Sequence, residues 1–293
     1  MKTDSNKVNK YCLLVVLQTI VYGFGDPISK IVYTNIPVYS AMSIRYVIAL
    51  AVLFIFFGKR IVQGLKAVSP KVWIIPSLCI SGSYILGNLG LQLASATSVS
   101  FLRSLPIVFT PVLGLIFFRR RYNWRIIPVQ AAIVVGLYLL CGKGGLTGFG
   151  LGEVFALLAA LLMAGGLISS GEAMKKMDAV VLSAAQTIVI GIICAICAPL
   201  LGGGWHLKEF TPKFFAITAY LAIVCTVIGY MLQNKALGKI SARTVALLQC
   251  LNPVMTSFFS FIILKETLSP AGFVGAAIIL VCVALATFME KKE

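Results

Sequence analysis

Charged residues are scarce in this chain of 293 residues: only 12% of them are Asp, Glu, Lys or Arg, and there is a single histidine. Soluble domains are about one quarter charged, and a soluble fold of this length would need more polar side chains to cover its surface. The shortage argues against a soluble enzyme, a disordered protein and a disulfide scaffold. With 59% hydrophobic residues, the composition favours a helical protein that crosses a membrane several times.

Ligands for metal or redox chemistry are also few. The eight cysteines lie almost entirely within apolar runs, and Cys194 and Cys197 have neither a second pair nor a histidine nearby. Because a tetrahedral zinc site needs about four converging ligands, no metal site and no cofactor are expected. A phosphate-binding loop of the G-x-x-x-x-G-K-[ST] type is absent as well, so active pumping would need an ion gradient or a separate subunit.

Long apolar runs dominate what is present. A helix needs about 20 apolar residues to cross a bilayer, and ten such runs are found, separated by charge or turn signals such as Gly58-Lys59-Arg60. The sequence therefore predicts an all-α polytopic membrane protein with ten transmembrane helices, and its weakest separation lies around 94–97. The runs lie near residues 11–33, 38–58, 72–93, 97–118, 124–142, 150–171, 179–201, 212–233, 242–264 and 270–289.

Basic residues outnumber acidic ones by 25 to 9, and their positions predict the orientation. With the N-terminus inside, 18 Lys and Arg residues fall in inner segments and 4 in outer ones, while Lys30, Arg45 and Arg103 fall within spans. Cytoplasmic loops of membrane proteins collect Lys and Arg. We therefore expect a multi-pass protein of the inner or plasma membrane with both termini in the cytoplasm. Because this orientation accounts for the positive charge, no nucleic-acid partner is expected.

The two halves of the chain resemble each other. The stretch around Pro106 matches the stretch around Pro253, 147 residues later. Because each half holds an odd number of spans, the second copy is predicted to be inverted relative to the first. We therefore predict repeats of five helices at 1–146 and 147–293, the inverted-topology arrangement of many secondary transporters, in which the site lies between the repeats.

These motifs resemble a known family. The contexts of Pro106 and Pro253, the run Leu264-Lys265-Glu266-Thr267-Leu268 and Gly275 are similar to those of the drug/metabolite transporter superfamily, most closely its ten-helix EamA group of exporters and permeases. The resemblance implies two five-helix bundles around a central cavity that carries small metabolites without a cofactor. The acidic residue that usually follows the fourth span is replaced by Arg119 in the first copy.

Three charged residues within the predicted spans are the first candidates for a substrate site, because an ionisable group in a bilayer costs about 2.5–3.5 kcal/mol on insertion scales. At 1.5 Å per residue, Asp26 lies about 22 Å from the inner end of its span, and Arg45 and Arg103 lie about 10 Å below the outer surface. Arg103 is expected to clamp a carboxylate or phosphate. Asp26 is either a proton-coupling site or the counter-ion of Arg103, and Arg45 is interpreted as mainly structural.

Uncharged polar and aromatic side chains complete the predicted substrate site. Amide side chains also join membrane helices to one another, so substrate contact and helix packing both remain open for them. The candidates are Asn88, Gln92, Tyr22, Tyr84, Tyr230, Gln249 and Asn252.

The leading prediction is a secondary transporter that moves a small metabolite, either an amino-acid-like zwitterion or an organic anion, across the cell membrane by alternating access. Its partners would be the lipid bilayer, the small-molecule substrate and a proton or other coupling ion, and both a monomer and a homodimer remain open. A channel is an alternative, although one asymmetric chain offers no ring of like groups around a pore.

An intramembrane aspartyl protease is the enzymatic alternative, because Gly23-Phe24-Gly25-Asp26 matches the pattern G-x-G-D. That chemistry needs two carboxylates that share a proton. The other aspartates, Asp4 and Asp178, lie in the N-terminal tail and in a predicted cytoplasmic loop. We therefore expect no enzyme.

Overall fold

A computed structural model of the chain describes residues 2–94, 96–118, 127–141, 150–201, 204, 210–265 and 269–290, and the regular elements among them are helices. A π-helical segment at Leu221–Ile228 joins two of these helices. In chain order the helices are α1 (Lys2–Tyr33), α2 (Val38–Lys66), α3 (Pro70–Leu93), α4 (Ala96–Arg103), α5 (Pro106–Phe118), α6 (Ile127–Cys141), α7 (Leu151–Ala173), α8 (Ala179–Leu201), α9 (Pro212–Tyr220), α10 (Gly229–Leu237), α11 (Ala242–Gln249), α12 (Asn252–Leu264) and α13 (Pro270–Glu290).

The predicted ten spans are confirmed. Among the described residues, eight helical stretches are long and apolar enough to cross a membrane, and two shorter apolar helices lie at Phe101–Ile116 and Ile127–Leu140. The fourth span consists of α4 and α5, the eighth of α9, the π segment and α10, and the ninth of α11 and α12. Large apolar side chains such as Ile55, Phe56 and Leu200 are more than two thirds exposed, as expected for a surface that contacts lipid.

Two spans are interrupted, which the sequence analysis did not predict. α4 ends at Arg103 and α5 begins at Pro106, and α11 ends at Gln249 just ahead of Pro253. Proline has no N–H group, so the carbonyl four residues before it loses its helical donor. The fourth and ninth spans are therefore each built from two helices.

The second helix is longer than predicted. The turn expected at Gly58-Lys59-Arg60 is absent, and α2 continues to Lys66. Ile61, beyond that predicted turn, is completely buried, and Nε of Arg60 donates a hydrogen bond to Oδ2 of Asp178 at 3.1 Å. Packing of this extension against the start of α8 outweighs the local turn signal.

Helices of the two halves interleave. α1 packs on α12, α3 on α7, α2 on α8 and α6 on α13, so each of these pairs joins one repeat to the other. The largest apolar cluster includes Cys12 and Val15 of α1 and Val283 and Ala286 of α13. Together with Ala236, Leu237 and Ala242 around the turn between α10 and α11, these residues place much of the cluster in the half of the bundle near the chain termini.

Candidate functional site

A cavity of about 100 Å³, open at its mouth, lies between the two repeats. α1, α2, α3 and α4 supply its wall from the first repeat, and α7, the π segment, α11 and α12 supply it from the second. The structure brings seven of the predicted residues together there: Tyr22, Asp26, Tyr84, Asn88, Arg103, Gln249 and Asn252.

Two predicted residues lie outside the cavity wall. Gln92 is exposed near the end of α3. Tyr230 is 1% exposed, its hydroxyl shares a hydrogen bond of 3.0 Å with that of Tyr46, and its ring centroid lies 5.5 Å from that of Tyr84. Tyr230 therefore supports the wall residue Tyr84 from behind.

Arg103 ends α4 and lies against α3. A Cβ atom added to Gly87 would stand 3.0 Å from Nε of Arg103, so the missing side chain makes room for the guanidinium group. Within the part of the chain that the structure describes, no hydrogen bond or ion pair engages Arg103. Oδ2 of Asp26 instead accepts a hydrogen bond of 3.0 Å from Oγ1 of Thr256.

Arg45 is a cavity residue that the sequence analysis interpreted as mainly structural. It is 9% exposed, its Nε donates to Oγ1 of Thr226 at 2.8 Å, and its guanidinium carbon lies 5.7 Å from the ring centroid of Tyr46. No carboxylate among the described residues lies within ion-pair distance of it. Its predicted depth, the same as that of Arg103, is the signal that could have identified it.

The π-helical segment holds the partner of Arg45. Oγ1 of Thr226 donates to the carbonyl of Leu221, five residues earlier, at 3.1 Å, and so presents its lone pairs to Arg45. Leu221 and Cys225 of the same segment line the cavity. Widened π turns occur frequently at functional sites, and here the turn directs a hydroxyl toward a buried cation.

Three glutamines lie where the cavity meets the half of the bundle near the termini. Nε2 of Gln18 and Nε2 of Gln249 both donate to Oε1 of Gln233, each at 2.8 Å. The network connects α1, α10 and α11. Gln249 therefore lines the cavity with an amide that also joins helices.

A tyrosine pair joins α1 and α3 within the first repeat, whereas the two interruptions bring the repeats together at the wall. The hydroxyl of Tyr84 donates to that of Tyr22 at 3.1 Å. Sγ of Cys250, at the interruption before α12, lies 4.0 Å from the carbonyl oxygen of Ser104, at the interruption before α5. The two interruptions are therefore in contact, and each directly follows a residue of the cavity wall, Arg103 in the first repeat and Gln249 in the second.

No group of three or more His, Cys, Asp or Glu side chains that could hold a metal ion is present among the described residues. The arrangement instead offers cations, one carboxylate and hydrogen-bonding side chains around a space open to a small polar solute.

A polar cavity between two repeats of five membrane spans defines a transporter of the repeat-built class. The model of the EamA-like transporter family matches the chain twice, over residues 9–142 and 150–288. The chain therefore belongs to the EamA-like transporter family, within the drug/metabolite transporter superfamily. It is a multi-pass membrane transporter.

Several curated proteins and a solved structure are similar to the chain. An uncharacterized transporter of Archaeoglobus fulgidus is 26% identical over 293 residues, covering 97% of this chain and 99% of that protein. One of Haemophilus influenzae is 22% identical and covers 98% of this chain and 100% of that protein. A crystal structure matches with a TM-score of 0.82 at 16% identity, over 97% of this chain and 98% of that one. This last likeness shows the fold.

The relatives are transporters and not enzymes, so the protease alternative fails. The glycines of its motif have a packing explanation. A Cβ atom on Gly23 would overlap Met255, and one on Gly25 would lie 2.7 Å from Sγ of Cys225. The G-x-G-D pattern therefore reflects the close approach of α1 to α12 and to the π segment.

Proposed function

We propose that the protein is a secondary transporter that carries a small organic anion or an amino-acid-like zwitterion by alternating access. The observation that carries the proposal is the cavity between the repeats, whose wall contains Arg45, Arg103 and Asp26. Within the described residues, no ion pair joins these three groups. Each charge is therefore available to a solute.

Electrostatics favours an anionic group in the cavity. A charge inside a bilayer is costly unless it is paired or hydrated, and a guanidinium group can hold a carboxylate through two parallel hydrogen bonds. We assign this role first to Arg103. Asp26 would receive a substrate ammonium or a coupling proton, and Tyr22 and Tyr84 would supply hydroxyl contacts.

Alternating access requires one half of the bundle to close while the other opens. The apolar cluster near the termini and the Gln18–Gln233–Gln249 network support closure of that half in the described conformation. With both termini in the cytoplasm, as the distribution of Lys and Arg favours, the cavity belongs to the outer half. We propose a repeat boundary between residues 146 and 147, which lies between the two family matches.

Transport assays test the proposal. We would reconstitute the purified protein in liposomes, screen amino acids and organic acids, and compare Arg103→Gln with the wild type. Saturable uptake is expected, and the variant should lose about tenfold or more, because a hydrogen bond to a charged group contributes about 1.5–3 kcal/mol. Arg60→Gln is the matched control, since Arg60 is exposed and contacts Asp178 outside the cavity.

Two results would contradict the proposal. Transport of an anionic substrate by Arg103→Gln at the wild-type rate would remove Arg103 from the substrate site. Electrogenic flux that does not saturate with concentration would favour a channel.

A further inference from the structure

Positive charge prevails among the charged side chains of the cavity wall. Arg45 and Arg103 bring two guanidinium groups, whereas Asp26 brings a single carboxylate, counted over the lining residues that the structure describes. Asp26 is held by the hydroxyl of Thr256 and not by either arginine. The wall therefore presents three separate charges, two positive and one negative.

The guanidinium of Arg45 is oriented but not neutralised. Thr226 takes the hydrogen bond of Nε, while the two terminal nitrogens make no hydrogen bond with a described residue. The side chain is 9% exposed, so solvent screens it little. A fixed and buried guanidinium with both terminal groups available matches the geometry of a carboxylate.

Two hydrogen-bond acceptors belong to the cavity wall: the amide oxygen of Asn252 on α12 and the carboxylate of Asp26 on α1. Asn252 lies one helical turn before Thr256, the partner of Asp26, so these two residues of α12 share a face. Oδ1 of Asn252 is buried and has no hydrogen-bond partner in the described part of the chain. An ammonium group has three donors and no acceptor, and the Asp26 carboxylate with this amide oxygen suits it.

Resting on the function proposed above, we infer that the substrate is an acidic amino acid, with two carboxylates and one ammonium group. One carboxylate binds Arg103, the other binds Arg45, and the ammonium binds Asp26 and Asn252. Every charge of the wall then meets an opposite charge. A neutral amino acid leaves a guanidinium unpaired, and a dicarboxylate without an amine leaves Asp26 unpaired, which is the kind of mismatch that a polar site rejects strongly.

Wild-type protein in liposomes tests this inference with three probes of one carbon skeleton: L-glutamate, L-glutamine and glutarate, with L-aspartate, L-asparagine and succinate as the shorter set. We expect kcat/KM for the acidic amino acid of one set to exceed those of its two analogues by about tenfold or more. Uptake of the neutral amide or of the dicarboxylate with a kcat/KM equal to that of the acidic amino acid would overturn the inference and leave the proposed function intact. Absence of saturable uptake for every amino acid and organic anion would overturn both.

Arg45→Gln tests the second carboxylate contact. The ratio of kcat/KM for the acidic amino acid over its amide is expected to fall to about 1, while uptake of the amide persists, because the variant removes one of the two cations. Arg60→Gln, which changes an exposed arginine of the same helix, should keep the wild-type ratio. An unchanged ratio in Arg45→Gln would overturn the role of Arg45, and if that variant does not fold, the wild-type panel alone decides the substrate class.

Asp26→Asn separates ammonium binding from proton coupling. If Asp26 binds the ammonium, the preference for the acidic amino acid over the dicarboxylate is expected to disappear at every pH tested. A variant that keeps this preference and loses only uptake driven by a proton gradient would overturn the assignment of the ammonium to Asp26.

Discussion

The position of the Arg103 guanidinium group depends on Gly87, a residue without a side chain. A Cβ atom at Gly87 would stand 3.0 Å from Nε and 3.2 Å from Cδ of Arg103. Because the obstructed group is the flexible end of a side chain, the guanidinium can move by a few tenths of an ångström while the helices stay in place. Gly87 therefore controls the position of the cation more than the stability of the fold.

We predict that Gly87→Ala raises KM for the anionic substrate by about threefold to tenfold, since a shifted guanidinium loses part of a charged hydrogen bond. The melting temperature in detergent should change little, because alanine is also the better helix former. Gly114→Ala is the control, since a Cβ atom there meets nothing within 4 Å. An unchanged KM in Gly87→Ala would show that Arg103 is not positioned through this contact.

Much of the site was predictable because polar residues are rare in apolar spans and cannot face lipid cheaply. Depth along a helix also follows from sequence at 1.5 Å per residue. The direction in which a side chain points around the helix axis cannot be read from the sequence in the same way. Tyr230 has a suitable depth yet lies behind Tyr84, and Gln92 lies exposed near the end of α3. The depth of Arg45 could be predicted, but its orientation by Thr226 could not.

Among the helical elements, the π segment has the most direct effect on the cavity. It places Thr226 so that one hydroxyl donates to Leu221 and accepts from Arg45. An apolar run such as Leu221–Ile228 carries no sequence signal that separates a π turn from an α turn. Packing against α1 and α2 accompanies the wider turn.

We predict that Thr226→Val lowers substrate kcat/KM by about tenfold, because Arg45 loses the acceptor that orients it. Thr226→Ser retains a hydroxyl and should stay within about threefold of the wild type. Transport assays on both variants, with folded protein verified by gel filtration, provide the measurement. Equal activity of the Val and Ser variants would rule out orientation of Arg45 by this hydroxyl.

The contact between α1 and α12 joins the two repeats at Gly23. A Cβ atom there would lie 2.8 Å from the backbone carbonyl carbon of Met255, so the helices themselves would have to separate. We predict that Gly23→Ala destabilises the protein by about 1–3 kcal/mol, the usual cost of overpacking, and lowers its melting temperature in detergent. Gly114→Ala serves again as the matched control, and an equal effect of the two changes would contradict the packing argument.

At the scale of the whole molecule, much of the largest apolar cluster lies in the half of the bundle near the chain termini, whereas Asp26, Arg45 and Arg103 of the cavity wall lie toward the opposite half. This asymmetry fits a transporter that is closed on one side of the membrane at a time. Which side is closed depends on the orientation, and that rests on the split of 18 inner to 4 outer basic residues.

We predict that a green fluorescent protein fused to the C-terminus is fluorescent in bacterial cells, because this fusion folds in the cytoplasm. Alkaline phosphatase at the same position should be inactive, since Lys and Arg collect in cytoplasmic segments. Fusions in the segment 143–149, which is predicted to lie on the outer side, serve as the control and should give the opposite result: active phosphatase and no fluorescence. An active phosphatase at the C-terminus would reverse the orientation and place the cavity in the cytoplasmic half.

The ten spans, the two repeats and the presence of charges within the spans were determined by the sequence alone, because hydrophobicity must match the thickness of the bilayer over each crossing. Tertiary structure decided the rest. The interruptions before Pro106 and Pro253 meet only when the repeats interleave, and Arg45, Arg103 and Asp26 come from three helices whose relative rotation depends on side-chain packing. A local pattern sets which residues are costly in the membrane, whereas contacts between distant helices set which of them share a cavity.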